Sequence, residues 1–163
     1  MSLLVRKISI GKWQEKEFFE HDQFAGDAIT GCLRTSKNVL CAWRIESERD
    51  IDKAVLAFTS KCNKLEHLWF VLLDEQRLLE NSIDVEQQDE NIPFKEQIKC
   101  HVVLQRINYD KLGIIARSVF EEIKGERARL YIKGRLKKML NDAISCGSIC
   151  AEDLDPKLQN ELK

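Results

Sequence analysis

Residues 68–73 read Leu-Trp-Phe-Val-Leu-Leu, six apolar side chains without a break. Side chains of a strand alternate between the two faces of a sheet. Apolar residues at both parities therefore predict a strand covered on both sides. The run is far too short to cross a bilayer. The remaining sequence is read for strands that flank this one and for helices that cover it.

Leu3 to Ile10 predicts a first strand, ended by Gly11. Asp27 to Thr35 and Val39 to Glu46 are two apolar, partly β-branched runs around Ser36-Lys37-Asn38, the pattern of a hairpin. Trp43 in the second arm is expected to anchor the core. Further on, Ile98, Cys100, Val102 and Leu104 alternate with Lys99, His101, Val103 and Gln105, which predicts a half-buried strand. The stretch carrying Trp13, Phe18, Phe19 and Phe24 among acids is assigned no state.

Helical periodicity marks three other segments. Ser47-Glu48-Arg49-Asp50 resembles a capping box, followed by Ile51, Val55, Phe58 and Cys62 on one face, with Asn63 as a stop. Leu112, Ile115, Ala116, Val119, Phe120 and Ile123 mark a second helix, closed by Gly125. Asp155-Pro156 suits an N-cap with proline at the first helical position. The resulting expectation is one globular α+β domain over residues 1–163, strand-rich over 1–107 and helix-rich over 108–163. It has about five mainly antiparallel strands, one helix at about 48–62, and C-terminal helices packed on the sheet.

The bulk composition agrees. Of 163 residues 44% are hydrophobic, enough for one core, and two prolines and seven glycines leave no flexible linker. No apolar stretch has signal-peptide or membrane-spanning length, so the expected location is cytoplasmic, away from membranes. Six cysteines without an export signal point to thiols rather than disulfides, with Cys32, Cys41, Cys62 and Cys100 inside apolar patterns.

Charge is segregated along the chain. Residues 74–96 carry a net of -6 and residues 99–138 a net of +7, within an overall -1. The bases concentrate in 124–140, KGERARLYIKGRLKKML. As a helix, 126–145 would align Ala128, Ile132, Leu136, Met139 and Ala143; as a strand, RARLYIK would point Ala128, Leu130 and Ile132 inward and Tyr131 outward. Ala, Leu, Arg and Lys favour the helix. In either state the bases face solvent. They solubilise the surface, and some are expected to meet the acidic 74–96 region. As a partner surface, the candidates are Arg127, Arg129, Tyr131, Lys133, Lys137 and Lys138, with Tyr131 available to stack on a nucleic-acid base. Glu86, Asp89 and Glu90 form an acidic counterpart.

Catalytic signatures are sparse. Phosphate-binding glycine loops, a GxSxG elbow and a helical HExxH are absent. The densest polar cluster is His21, Asp22 and Asp27 around Phe24, expected to be a loop that docks Phe24 rather than a pocket. Cys100-His101 would point to opposite faces of a strand, which leaves His101 to pair with a carboxylate elsewhere. Cys146-Gly-Ser-Ile-Cys150 is a weak metal or redox candidate, because no second cysteine pair accompanies it. No cofactor is implied. Leu154, Leu158 and Leu162 form a stripe that fits either an intramolecular core or a homodimer contact.

Taken together these features favour a non-enzymatic interaction domain, a small regulator, adaptor or inhibitor of another macromolecule, with a protein as partner. The alternatives are a nucleic-acid-associated protein using residues 124–138, and an enzyme built on His21 and Asp27 or on His101.

Overall fold

The computed structural model describes residues 2–163. Its frame is one six-stranded sheet in which every pairing is antiparallel. The strands are β1 (Leu3–Ile8), β2 (Leu40–Ile45), β3 (Leu68–Asp74), β4 (Asp84–Gln87), β5 (His101–Gln105) and β6 (Arg129–Tyr131). They lie in the order β4-β5-β2-β1-β3-β6. Helices are α1 (Ile10–Trp13), α2 (Lys16–Phe19), α3 (Gly26–Cys32), α4 (Ile51–Ser60), α5 (Glu75–Glu80), α6 (Tyr109–Lys124), α7 (Lys133–Ser145) and α8 (Pro156–Leu162). The expected α+β class is the one observed, with one strand more. Strands and helices are less segregated along the chain than expected. Helices α1 to α5 fall before residue 107, and β6 falls in the C-terminal third.

β3 is covered on both faces, as its doubly apolar sequence predicts. Leu68, Phe70 and Leu72 join Val5, Trp43 and Ile45 in one core, closed by Val55 of α4, Leu136 and Leu140 of α7, and Leu158 of α8. Val71 and Leu73 join Leu4, Ile8, Ala42, Val102 and Leu104 in the other, closed by Trp13, Ala28 and the α6 residues Ile115, Val119 and Phe120. Trp43 is buried, as expected of a core anchor. Leu154 and Leu158 are buried in their own chain, so the leucine stripe closes an intramolecular core.

Several local expectations are corrected. Most of residues 27–35 belongs to α3, which ends at Cys32, rather than to a hairpin arm. Ala28 and Cys32, one helical turn apart, go into the core beneath β1. The turn itself is present, with Lys37 and Asn38 left-handed at φ 53° and 61°, but one bridge, Ser36 to Val39, is all that it closes. Residues 95–100 are a 3-10 turn, so β5 begins only at His101, and both its parities are buried. The 48–62 helix is a 3-10 turn, Glu48–Asp50, leading into α4, and the Ser47 hydroxyl donates to the Asp50 carboxylate at 3.0 Å. Asn63 is not left-handed among the described residues. Gly125 caps α6, yet Glu126 makes the left-handed turn, φ 56°, and sends the Arg127 amide back to the Glu122 carbonyl at 2.9 Å.

This reversal corrects the basic stretch as well. It is neither one helix nor one strand. β6 pairs with β3, Tyr131 opposite Leu68 and Arg129 opposite Phe70, and α7 starts two residues after Tyr131. At the other end of the strands, buried Glu75 receives the Arg44 guanidinium, Nε to Oε2 at 2.9 Å, and the Ser2 hydroxyl. Burial alone would raise the Glu75 carboxyl. The Arg44 and Ser2 hydrogen bonds outweigh it and hold the group below its ordinary 4.5. A depressed carboxylate stabilises the fold above the unfolded-state value, and that contribution is lost as pH falls through the folded one. Glu75→Gln is expected to cost about 1–3 kcal/mol at pH 7 by chemical denaturation. The difference from wild type should shrink as pH drops below about 4.5.

Candidate functional site

The basic stretch begins on the loop after α6 and runs along β6, the last strand of the sheet. Its bases are outward, but they are not free. Arg127 pairs with Glu122 at 2.8 Å, Arg129 with Glu48 at 3.0 Å, Lys133 with Glu161 at 2.6 Å and Arg135 with Asp52 at 2.9 Å. Lys137 donates to the Glu161 carbonyl at 2.8 Å, and Lys138 is exposed. None of these partners comes from residues 74–96, contrary to expectation. The acids there are held elsewhere: Glu75 by Arg44, Asp84 by Arg106 at 2.7 Å, and Glu90 by Lys61.

Tyr131 departs furthest from its expected role. It is 2% exposed and turns inward, with its ring edge-on to Phe70 at 5.7 Å. Its hydroxyl donates to Asp52, and the Arg135 guanidinium lies 4.3 Å from the ring centre. Burial first, then the neighbouring Asp52 carboxylate, push the phenol above its ordinary value of 10. The ring is therefore part of the core beside α4 and offers no face to a nucleic-acid base.

The inverted parity has a second consequence. Leu130 on β6 and Ile132 directly after it are exposed instead, at 41% and 50%. Leu130 stands directly across from Trp69, which is half-buried. Tyr131 takes the covered side because α4 and α7 continue to this end of the sheet, where Phe70 and Asp52 receive it. An apolar strip with a bordering strand edge is thus left at the side of the sheet, between Arg129 and Lys133. Sequence alternation offers the strand here only as the alternative to a favoured helix, and it places Leu130 and Ile132, not Tyr131, on the covered side.

The other candidates separate. His21, Asp22 and Asp27 are all exposed. Asp22 lies 3.9 Å from Arg117 and 3.8 Å from Lys124, while Phe24 packs at 5.4 Å on Trp13 and 5.2 Å on Phe120. This is a loop docked by its phenylalanine. His101 is buried, with Nδ1 2.8 Å from the Gln88 carbonyl and Nε2 3.3 Å from a Glu90 oxygen, the carboxylate partner its sequence position left open. Cys100 is half-buried and burial pushes its thiol up.

Cys146 to Cys150 is a helix stop. Gly147 is left-handed at φ 80°, the Ser148 amide returns to the Ala143 carbonyl at 2.9 Å, and Ile149 is buried. Both cysteines are free and exposed. Among the described residues no three His, Cys, Asp or Glu side chains are placed to hold a metal ion, and no helix is long and apolar enough to cross a membrane. No protein-family model matches the chain, and neither the curated proteins nor the solved structures give a match.

The stop makes a direct prediction. Gly147→Ala is expected to lower stability by about 1–2 kcal/mol, because a β-carbon is strained at positive φ. Cys146→Ser and Cys150→Ser should each stay within about 0.5 kcal/mol of wild type. Thermal melts with and without a zinc chelator check both statements, and a chelator-sensitive wild type would contradict the helix-stop role.

Proposed function

We propose that the chain is a non-enzymatic interaction domain, a small regulator, adaptor or inhibitor, that binds a protein partner over the open edge of β6. The observation that carries this reading is exposed Leu130 on the terminal strand with exposed Ile132 directly after it, continued by half-buried Trp69. A strand edge offers unpaired backbone groups, and apolar residues beside it supply the desolvation energy that polar backbone pairing alone lacks. The bordering Arg129 and Lys133 are engaged only in surface ion pairs, which are weak and readily exchanged for a partner's carboxylates. The partner chemistry is therefore an extended segment with apolar side chains at its centre and acids at its rim.

Nucleic-acid binding draws less support. Tyr131 is buried, and the carboxylates of Glu48, Asp52, Glu122 and Glu161 already lie against the bases that would meet phosphates. An enzymatic reading draws less support at His21 and Asp27, which are exposed beside a docked Phe24.

The test compares wild type with a Leu130→Asp, Ile132→Asp variant as bait in affinity capture at physiological salt. A partner retained by wild type and lost by the variant, with melting temperatures matched, is the expected outcome. Capture that is indifferent to both substitutions would remove β6 from the interface. In parallel, labelled single- and double-stranded nucleic acid is expected to show no saturable anisotropy change. Steeply salt-dependent binding that is lost in a Lys133→Glu, Lys137→Glu variant would favour nucleic acid instead.

A further inference from the structure

Cys41 and His101 sit on neighbouring strands, β2 and β5, well away from the β6 edge. Trp43 is opposite His101 and Cys41 opposite Val103, so Cys41 lies diagonally from His101 on the same face of the sheet, within side-chain reach. The imidazole is the strongest influence on the Cys41 thiol and lowers it. The ring is held by its own neighbours. Its Nδ1 donates to the Gln88 carbonyl at 2.8 Å, and the Trp43 ring meets it edge-on at 5.0 Å. Its Nε2 lies 3.3 Å from the Glu90 carboxylate, so a third group orients the ring. His101 is 4% exposed whereas Cys41 is open to solvent. A nucleophile beside a base that a third group orients is the arrangement that activates a thiol.

The charged surroundings come from several elements. Arg6 of β1 donates to the Cys41 carbonyl at 2.5 Å, and Glu90, from the segment after β4, is ion-paired with Lys61 beyond α4. The neighbouring His101 imidazole is the main cause that lowers the Cys41 thiol. Burial opposes it, Arg6 reinforces it, and Glu90 counters it weakly. Burial likewise opposes charge on His101, but Cys41, the Gln88 carbonyl and Glu90 together outweigh it and raise the imidazole. No other cysteine shares this setting. Cys32 is buried, Cys62 and Cys100 are pushed up by burial, and Cys146, lowered by the Ser148 hydroxyl at 3.2 Å and also against the Ala143 carbonyl at 3.3 Å, has no imidazole beside it.

We propose that Cys41, diagonal to His101 on one face of the β2–β5 pair, is a thiol-modification site whose thiol gives its proton to His101 and is oxidised by small hydroperoxides to a sulfenic acid. The sulfur attacks one peroxide oxygen, forming an S–O bond as the O–O bond breaks. The departing alkoxide, or hydroxide from hydrogen peroxide, takes the proton from His101 and leaves as alcohol or water. Sulfur loses two electrons and the peroxide gains them. Cys41 is itself exposed, so a reagent of this size reaches it without a cleft.

The full chain is labelled with limiting iodoacetamide over a range of pH, and each cysteine is followed by peptide mass spectrometry. At pH 7 Cys41 is expected to react roughly tenfold faster than the exposed Cys150, with its half-maximal rate at lower pH. In a His101→Gln variant the Cys41 rate should fall to within about twofold of Cys150, while Cys146 is unchanged. After one equivalent of hydrogen peroxide, dimedone should mark Cys41 in wild type and not in the variant. Continued protection of Cys32 reports that the variant is folded; where protection is lost, the wild-type pH profile and dimedone adduct decide by themselves. Coincident profiles for Cys41 and Cys150, a Cys41 rate indifferent to His101 in a folded variant, or no dimedone adduct at Cys41 would each overturn the proposal.

Discussion

Phe70 and Val71 are consecutive, both fully buried, and belong to different cores. This double burial of β3 is the constraint on which the rest of the architecture depends. A strand apolar at both parities has no face to give to water, so helices must cover the sheet on each side. Burying a phenylalanine or leucine side chain is worth about 1.5–3 kcal/mol. The six residues of the LWFVLL run therefore account for a large share of a margin that is itself small. α4, α7 and α8 answer one face, and α1, α3 and α6 the other.

Where one cover ends, a surface of a different character begins. α6 stops at Lys124 and turns back through Glu126, so β6 is covered only on the Tyr131 side. Leu130 and Ile132 stay in water as a direct result. The same economy shapes the charges. Bases that look like a continuous positive stripe in sequence are divided among carboxylates from α4, α6, α8 and the turn before α4. Three of those carboxylates, Glu48, Asp52 and Glu161, lie outside residues 99–138 and offset part of its +7 within the fold.

Much of this was legible in the sequence, and what was not has identifiable causes. The burial of β3, the periodic helices α4 and α6, and the Asp155-Pro156 start of α8 follow from patterns that local physics enforces. α3 did not, because Gly-Asp-Ala-Ile-Thr-Gly-Cys has low intrinsic helicity and is helical through its packing under β1. β6 was visible as alternation, but its parity depends on where distant helices end. The Cys41 and His101 pairing depends on the register of two strands far apart in the chain, which neither segment encodes alone. His101 was weighed against its neighbour Cys100, when its partners lie across the sheet and on the loop after β4.

The most direct test of β3 as the tie between the two cores uses tryptophan reporters on either side, Trp13 in one core and Trp43 in the other. Single-tryptophan variants keeping one or the other would be unfolded in urea, with and without Phe70→Ala. Because β3 joins both cores, the two reporters should unfold at the same midpoint. Phe70→Ala should shift both equally, by about 3–5 kcal/mol in stability, although Phe70 touches only one core. Separate midpoints, or a shift confined to Trp43, would contradict a fold held together through this strand.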